Sequence, residues 1–395
     1  MNTVCQKDKC TGCGACMESC GKNAITIQDS IHAYNAVIEE RKCINCNVCH
    51  NVCPQNHTLA FKEPILWKQG WVNDPVEREK SSSGGFGTAI IKGFINNGGV
   101  VWSCEFRDGK FGFSRAETVS ESEKFRGSKY VKSSPHGIYK EIKKTLADGK
   151  KVLFLGLPCQ SAGVQKFVGA KLNNNLYTVD LICHGTPSPE LLKEFFRQDY
   201  GIRLTDLKDI KFRNKVNFGI HNEYIPLVKR GTRDRYLLAF LDSIDYTDNC
   251  YDCKYARKQR ISDLTIGDSW GSELLDEEEK GISLVLCQNE KGKELLEKAE
   301  IYLTDVDIDR AIEFNKQLQR PSSRTKKLKQ FRKLYVQKGF HKAINQIYWK
   351  YYLKQLIKKF LLRLGIRKIR GGVMNSYQIL VVVTGREKNE NSVSH

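Results

Sequence analysis

The chain has 395 residues, 15 of them cysteine, and a formal net charge of +19. Its start, MNTVCQKDKCTGC, lacks the apolar stretch of a secretory signal, and no uninterrupted apolar run reaches about 18 residues. Both features argue against a secreted disulfide scaffold and a transmembrane helix. The length suits about two to three domains with real cores. The expected compartment is cytoplasmic, where grouped cysteines hold metals or carry redox chemistry. The charge is uneven. Between Arg320 and Gly372 there are many Lys and Arg and no Asp or Glu, as in an appended basic segment rather than a basic enzyme.

Two N-terminal runs repeat one spacing: Cys10-x2-Cys13-x2-Cys16-x3-Cys20 and Cys43-x2-Cys46-x2-Cys49-x3-Cys53-Pro54. A cubane offers four iron corners. A tight loop reaches three of them with cysteines two residues apart, and the fourth cysteine crosses to the other cluster. This assigns Cys10, Cys13, Cys16 and Cys53 to one [4Fe–4S] cluster and Cys43, Cys46, Cys49 and Cys20 to a second. The fourth cysteine of each run is expected to begin a short helix. Gly12 and Gly14 let the first loop approach its cluster closely. Zinc sites pair cysteines as separated knuckles, which two consecutive three-cysteine runs fit poorly. Residues 1–60 resemble a bacterial two-cluster ferredoxin. Gly21 stands where the first motif often has proline, and Cys5 is a spare thiol outside the pattern.

A linker, HTLAFKEPILWKQGWVNDPVEREK, leads to Ser81-Ser82-Ser83-Gly84-Gly85-Phe86 and a helical run ending at Gly98-Gly99. A Ser/Gly loop entering a helix offers free N–H groups to a phosphate, or simply a serine N-cap. GVVWSCEF and KFGFSRAET read as a strand pair, followed by Gly127-Ser128-Lys129-Tyr130-Val131. From Ile138 helices and strands alternate: IYKEIKKTLADG, KKVLFLG, QSAGVQKFVG, LYTVDLIC, SPELLKEFFRQDYG. Such alternation predicts βαβ units and a parallel sheet whose carboxyl edge binds ligands.

Cys159, in LPCQ, follows the first of these strands, and Cys183, in CHGTPSPE, ends the second. Cys250-x2-Cys253 precedes SDLTIGDSWG, a short strand ending at Asp268. Four cysteines from three segments can therefore converge on one edge, the number a further [4Fe–4S] cluster needs. Two other readings stay open. Cys159 and Cys183 can be small buried apolar groups, or Cys250 and Cys253 alone a redox pair or half a zinc site. Cys104 and Cys287 lie in apolar runs and read as core. His184 and Asp268 are the candidate catalytic proton sources, with a backbone-bonded structural histidine as the alternative for His184.

Together SSGGF, GSKYV, LPCQSAG, LICHGTPSPE and the CYDC…SDLTIGDSWG block resemble the coenzyme F420 hydrogenase/dehydrogenase β-subunit family, over roughly residues 65 to 315. Plant 7-hydroxymethyl chlorophyll a reductase is a relative in that family. The resemblance implies an iron–sulfur flavoprotein. Ser83, Gly84, Gly85, Ser128 and Lys129 become candidate FAD contacts, and Cys159, Cys183, Cys250 and Cys253 ligands of a cluster near the flavin. A flavin also suits the chemistry, because it joins one-electron clusters to two-electron organic substrates. Members that reduce F420 and those that reduce a tetrapyrrole share the same core.

The expected fold is thus a ferredoxin-like domain (1–62), an α/β flavoprotein domain with a mainly parallel sheet, divided into a β-subunit N-terminal-type region (63–140) and a C-terminal-type region (141–318), and a basic helical tail (319–395) with a disordered end. The tail can be a helical cap, an amphipathic helix on an anionic membrane surface, or a dock for an acidic partner protein. No nucleic-acid recognition module is apparent. The expected partners are a redox protein and a small-molecule substrate. The competing functions are an FAD-containing oxidoreductase, a ferredoxin-type electron carrier or adaptor without its own catalysis, and a sensor whose clusters report oxygen or iron.

Overall fold

The computed structural model describes residues 2–223, 225 and 234–363. The terminal GREKNENSVSH, expected to be disordered, lies outside them. The N-terminal region contains α1 (Ala15–Ser19), β1 (Ile25–Asp29), β2 (Tyr34–Ile38) and α2 (Val48–Val52), with β1 and β2 antiparallel. Left-handed Gly14 (φ 81°) and Asn47 (φ 59°) turn the chain into α1 and α2 just before the third cysteine of each run. Cys20 and Cys53 therefore close these helices, contrary to the expectation that they begin them. The three-residue gap between third and fourth cysteines is itself the helical turn.

Next come β3 (Leu66–Val72), α3 (Pro75–Lys80), α4 (Phe86–Asn96), β4 (Val100–Arg107), β5 (Lys110–Ala116), α5 (Val119–Ser122), α6 (Tyr139–Ala147), β6 (Val152–Gly156), α7 (Pro158–Val168), β7 (Leu176–Leu181) and α8 (Pro189–Tyr200). They are followed by β8 (Lys211–Asn214), β9 (Asn217–His221), α9 (Arg235–Leu241), α10 (Asp248–Tyr251), β10 (Leu264–Asp268), β11 (Ser283–Cys287), α11 (Glu290–Glu297), β12 (Ile301–Thr304) and α12 (Ile308–Phe314). Two basic helices complete the described chain, α13 (Lys326–Ile347) and α14 (Trp349–Arg363).

Eight strands form one sheet in the order β12-β3-β11-β10-β7-β6-β4-β5. Its centre, β10-β7-β6-β4, is parallel, and antiparallel strands flank it. Strands from both 63–140 and 141–318 share this sheet, since β4 pairs with β6 and β3 with β11. β3 falls within the stretch read as a linker. It carries little apolar alternation because its middle residue, Gln69, is polar yet fully buried, accepting from Ser269 and Ser272 and donating to Glu273. The carboxyl ends of β3, β4, β6, β7 and β10 share one edge.

The N-terminal region packs directly on this edge. Tyr139 donates to the Cys13 carbonyl (2.5 Å), Ser188 to Asp29 (2.5 Å) and the Lys254 ammonium to the carbonyls of Pro54 and Gln55. A Cβ on Gly163 of α7 would stand 3.0 Å from the Cys13 Cβ, so only glycine lets α7 approach the first cysteine loop this closely.

α13 buries Leu328, Phe331, Leu334, Phe340, Ala343 and Ile344 in the core that contains α8 and α9, bending at Gly339. This helix is a cap on the fold. α14 instead exposes Trp349, Leu353, Leu356, Ile357 and Phe360. Among the described residues no helix is long and apolar enough to cross a membrane.

Candidate functional site

Cys10, Cys13, Cys16 and Cys53 line one cavity, together with Cys5, Thr11, Gly14 and Gln55. This is the ligand set assigned to the first cluster, including the crossing of Cys53 from the second run. Backbone N–H groups point at the sulfurs: Gly12 donates to Cys10 (3.4 Å), Ala15 to Cys13, and Gln55 and Asn56 to Cys53. Gly12 adopts φ 72°, and a Cβ there would strike the Tyr34 ring at 2.6 Å. Cys5, expected to be a bystander, is buried against Cys10 and Cys53.

Cys20, Cys43 and Cys46 surround Cys49 closely enough to raise its pKa electrostatically, after the larger effect of burial. Asn45 donates to Cys43 and Ala24 to Cys20, each at 3.4 Å. This second set faces outward: Cys46 is exposed, as are the apolar side chains of Ile44 and Val48. Four thiols around a cubane each meet a different iron, so they stand farther apart than the ligands of one ion. Accordingly, no three His, Cys, Asp or Glu side chains among the described residues are placed to hold a single metal ion.

A second cavity opens at the sheet edge. Cys159, Cys183, Cys250 and Cys253 all line it. The β6 strand delivers Cys159 into the first turn of α7, where Gln160 fixes the turn by accepting from the Leu157 N–H (2.9 Å) and donating to Ser133. A thiolate there faces the positive end of the helix. The β7 strand delivers Cys183, and α10 and the turn after it carry Cys250 and Cys253. Burial pushes the Cys183 thiol up to about 12 and Cys253 to about 11, while Gly185, Tyr255 and Ala256 N–H groups pull the other way. Asn249 donates to Cys250 at 3.5 Å, with the Thr247 hydroxyl 3.6 Å away. Tyr255 also lines this cavity, and its buried hydroxyl has no hydrogen-bond partner among the described residues. The donor set thus fits a [4Fe–4S] cluster: four thiols, sulfur-directed N–H groups and an unpaired hydroxyl. Thr11 and Gln55 line both this cavity and the first-cluster cavity, so the two share a wall.

Behind the cysteines lies a buried ion pair. Arg260 is 2% and Asp180 0% exposed, at 2.8 Å, and Arg260 also donates to the carbonyls of Tyr255 and Leu181. Thr265 completes the set by donating to Asp180.

The loops named by the resemblance meet farther along the same edge. The Ser128 N–H donates to the Ser82 hydroxyl (3.0 Å), and Gly85 (φ 93°) caps α4, leaving its first N–H groups free of helical partners. Gly84 packs so tightly that a Cβ would stand 2.5 Å from the Gly70 carbonyl oxygen, and the Ser83 hydroxyl donates to Ile282. The Lys129 ammonium is engaged with the carbonyls of Phe125, Arg126 and Gly127. The buried cation at this loop is instead Arg213, which donates to the Ser82 carbonyl and to both oxygens of Asp268 and lies over the rings of Phe218 and Trp270. Lys215, lowered to about 8 mainly by burial, donates to the Ser83 carbonyl.

His184 reaches solvent at the mouth of the cysteine cavity, yet the crowded protein around it lowers its pKa to about 4. Burial outweighs the Asp268 charge, which pulls the other way. Cys287 is fully buried in β11, as read from its apolar run, and Cys104 is half-buried in β4.

Sequence reasoning passed over Arg213, Arg260, Lys132 and Tyr255. Lys132 lies three residues past Lys129 in GSKYVK, and nothing in the local pattern separates a buried lysine from a solvated one.

The two N-terminal cysteine sets define an iron–sulfur electron-transfer protein. Residues 9–57 match the 4Fe-4S dicluster domain family. Residues 149–309 match the family described as the C terminus of the Coenzyme F420 hydrogenase/dehydrogenase, beta subunit. The chain therefore carries one stretch that matches a two-cluster domain and a second that matches the C terminus of the F420 hydrogenase/dehydrogenase beta subunit. Among solved structures it is similar to a chain of "Xenon derivatization of the F420-reducing [NiFe] hydrogenase complex from Methanosarcina barkeri", at 19% identity, covering 66% of this chain and 90% of that chain with a TM-score of 0.49. No curated protein matches the chain.

Proposed function

We propose that this chain is an oxidoreductase that passes electrons between [4Fe–4S] clusters and an organic acceptor through bound FAD. The observation that carries the reading is the cavity lined by Cys159, Cys183, Cys250 and Cys253, which shares Thr11 and Gln55 with the first-cluster cavity. A carrier that only docks has no use for a third thiol set at a sheet edge. The three sets run inward from the exposed Cys46 surface, where Ile44 and Val48 offer an apolar contact to a redox partner protein. FAD supplies the exchange between single electrons and the electron pair that an organic substrate takes up.

Residues of this chain hold the flavin's pyrophosphate at the α4 N-terminus, with the Ser83-Gly84-Gly85 backbone and the Ser128 loop as its cradle. Arg213 takes the cationic role that the resemblance gives to Lys129, whose ammonium instead fastens the 125–127 turn. Asp268 holds Arg213 in place.

Titration of flavin-free protein with FAD and with riboflavin tests this cradle. FAD is expected to bind at about one per chain, and Arg213→Met to weaken it about tenfold, as loss of one charge-assisted hydrogen bond does. Riboflavin, lacking the pyrophosphate, binds far more weakly. Equal binding of the two, or none, removes the flavin reading and leaves the electron-carrier alternative. The exposed apolar stripe of α14 beside Lys350, Lys354 and Lys358 supports a peripheral membrane contact as a second role of the tail.

A further inference from the structure

Lys132 is only 4% exposed. Its ammonium donates to the Thr11 carbonyl and the Asn249 carboxamide, both at 3.4 Å, and stands 5.0 Å from the centre of the Tyr34 ring. These partners are neutral, and both hydrogen bonds are long. A buried cation so poorly compensated is costly unless an anion faces it. The acid nearest in sequence to Asn249 is already committed, since Asp248 and Asp252 pair with Arg324.

The surroundings of Lys132 point to a different anion. Thr11 lies between Cys10 and Cys13 in the first cysteine loop, and Asn249 precedes and donates to Cys250. Lys132 itself lines the strand-edge cavity, and its Cδ is 3.6 Å from the position a Gly12 Cβ would take. The ammonium thus stands in the wall between two four-cysteine sets.

We propose that Lys132 is a shared positioning charge for two iron–sulfur centres, the one held by Cys10, Cys13, Cys16 and Cys53 and the one held by Cys159, Cys183, Cys250 and Cys253. The second half of this statement rests on the proposed function. A cubane with four thiolates is anionic, and each reduction adds one electron with no proton and no bond change. A fixed cation in a poorly solvated wall therefore stabilises the reduced form and raises both potentials. The outward set of Cys20, Cys43, Cys46 and Cys49 lies outside this wall and serves as an internal reference.

The test is an anaerobic redox titration of the whole protein followed by electron paramagnetic resonance. Lys132→Met is expected to shift the first-cluster and strand-edge signals to more negative potential and leave the outward cluster in place. Lys132→Arg is expected to restore both. Asn249→Asp keeps the lysine and gives it a carboxylate, so it should produce the same negative shift even if the methionine variant fails to assemble. Unchanged potentials in iron-replete Lys132→Met, or an equal shift of all three signals, overturn the assignment. About eight irons per chain in the unsubstituted protein would instead overturn the three-cluster reading. The first-cluster shift would then still decide whether Lys132 acts on that centre alone.

Discussion

Replacing Cys159 with alanine is expected to remove about four of an expected total of about twelve irons per chain and to leave the two ferredoxin-type signals intact. The side chain stands in the first turn of α7 at the end of β6, in a cavity with Cys183, Cys250 and Cys253. If it were only a small buried apolar group, alanine would fill most of its volume and cost little beyond packing. Iron content separates the two cases without ambiguity. Cys287→Ala is the control, because that thiol is equally cysteine and fully buried, but at the end of β11 where it pairs with Leu264 at the start of β10. Loss of iron from Cys287→Ala, or full iron in Cys159→Ala, would rule out the strand-edge cluster.

Arg260→Ala is expected to destabilise the protein by about 3–5 kcal/mol, the usual result of leaving a buried charge without its partner. Asp180 is fully buried on β7 and would keep only Thr265 as a described donor. Arg260 also ties the turn that follows Cys253 to the end of β7 through the carbonyls of Tyr255 and Leu181. The variant should therefore lose strand-edge iron as well as stability. The double variant Arg260→Met/Asp180→Leu removes both charges and should recover much of the loss, since apolar replacement of a buried pair is often close to neutral. Urea midpoints of the anaerobic proteins measure this. A single variant within about 0.5 kcal/mol of the parent, the range of ordinary surface changes, would mean that the pair is not structural.

The grouping of the cysteines was legible because cubane spacing and strand-end geometry dictate which of them come together. Cys53 reaches the first cavity as the crossing rule requires, and Cys159 and Cys183 meet because parallel strands end on one edge. The alternation after Ile138 likewise reads directly as α6, β6, α7, β7 and α8. What escaped the sequence is polar and buried. β3 looked like linker because Gln69 occupies a core position, and Lys132, Arg213 and Arg260 look like any surface cation until their partners are known. Those partners come from distant segments: Asp180 is 80 residues from Arg260, and Asp268 is 55 from Arg213. Lys129 shows the converse. Its place in GSKYV suggests an anion contact, but local carbonyls absorb its ammonium.

The central claim is that one chain joins three cubanes to a flavin. Protein purified without oxygen and assayed for iron, acid-labile sulfide and released flavin tests it most directly. About twelve irons, a matching amount of sulfide and about one FAD per chain are expected. About eight irons and no flavin would contradict it, and the chain would then be a ferredoxin joined to a docking domain.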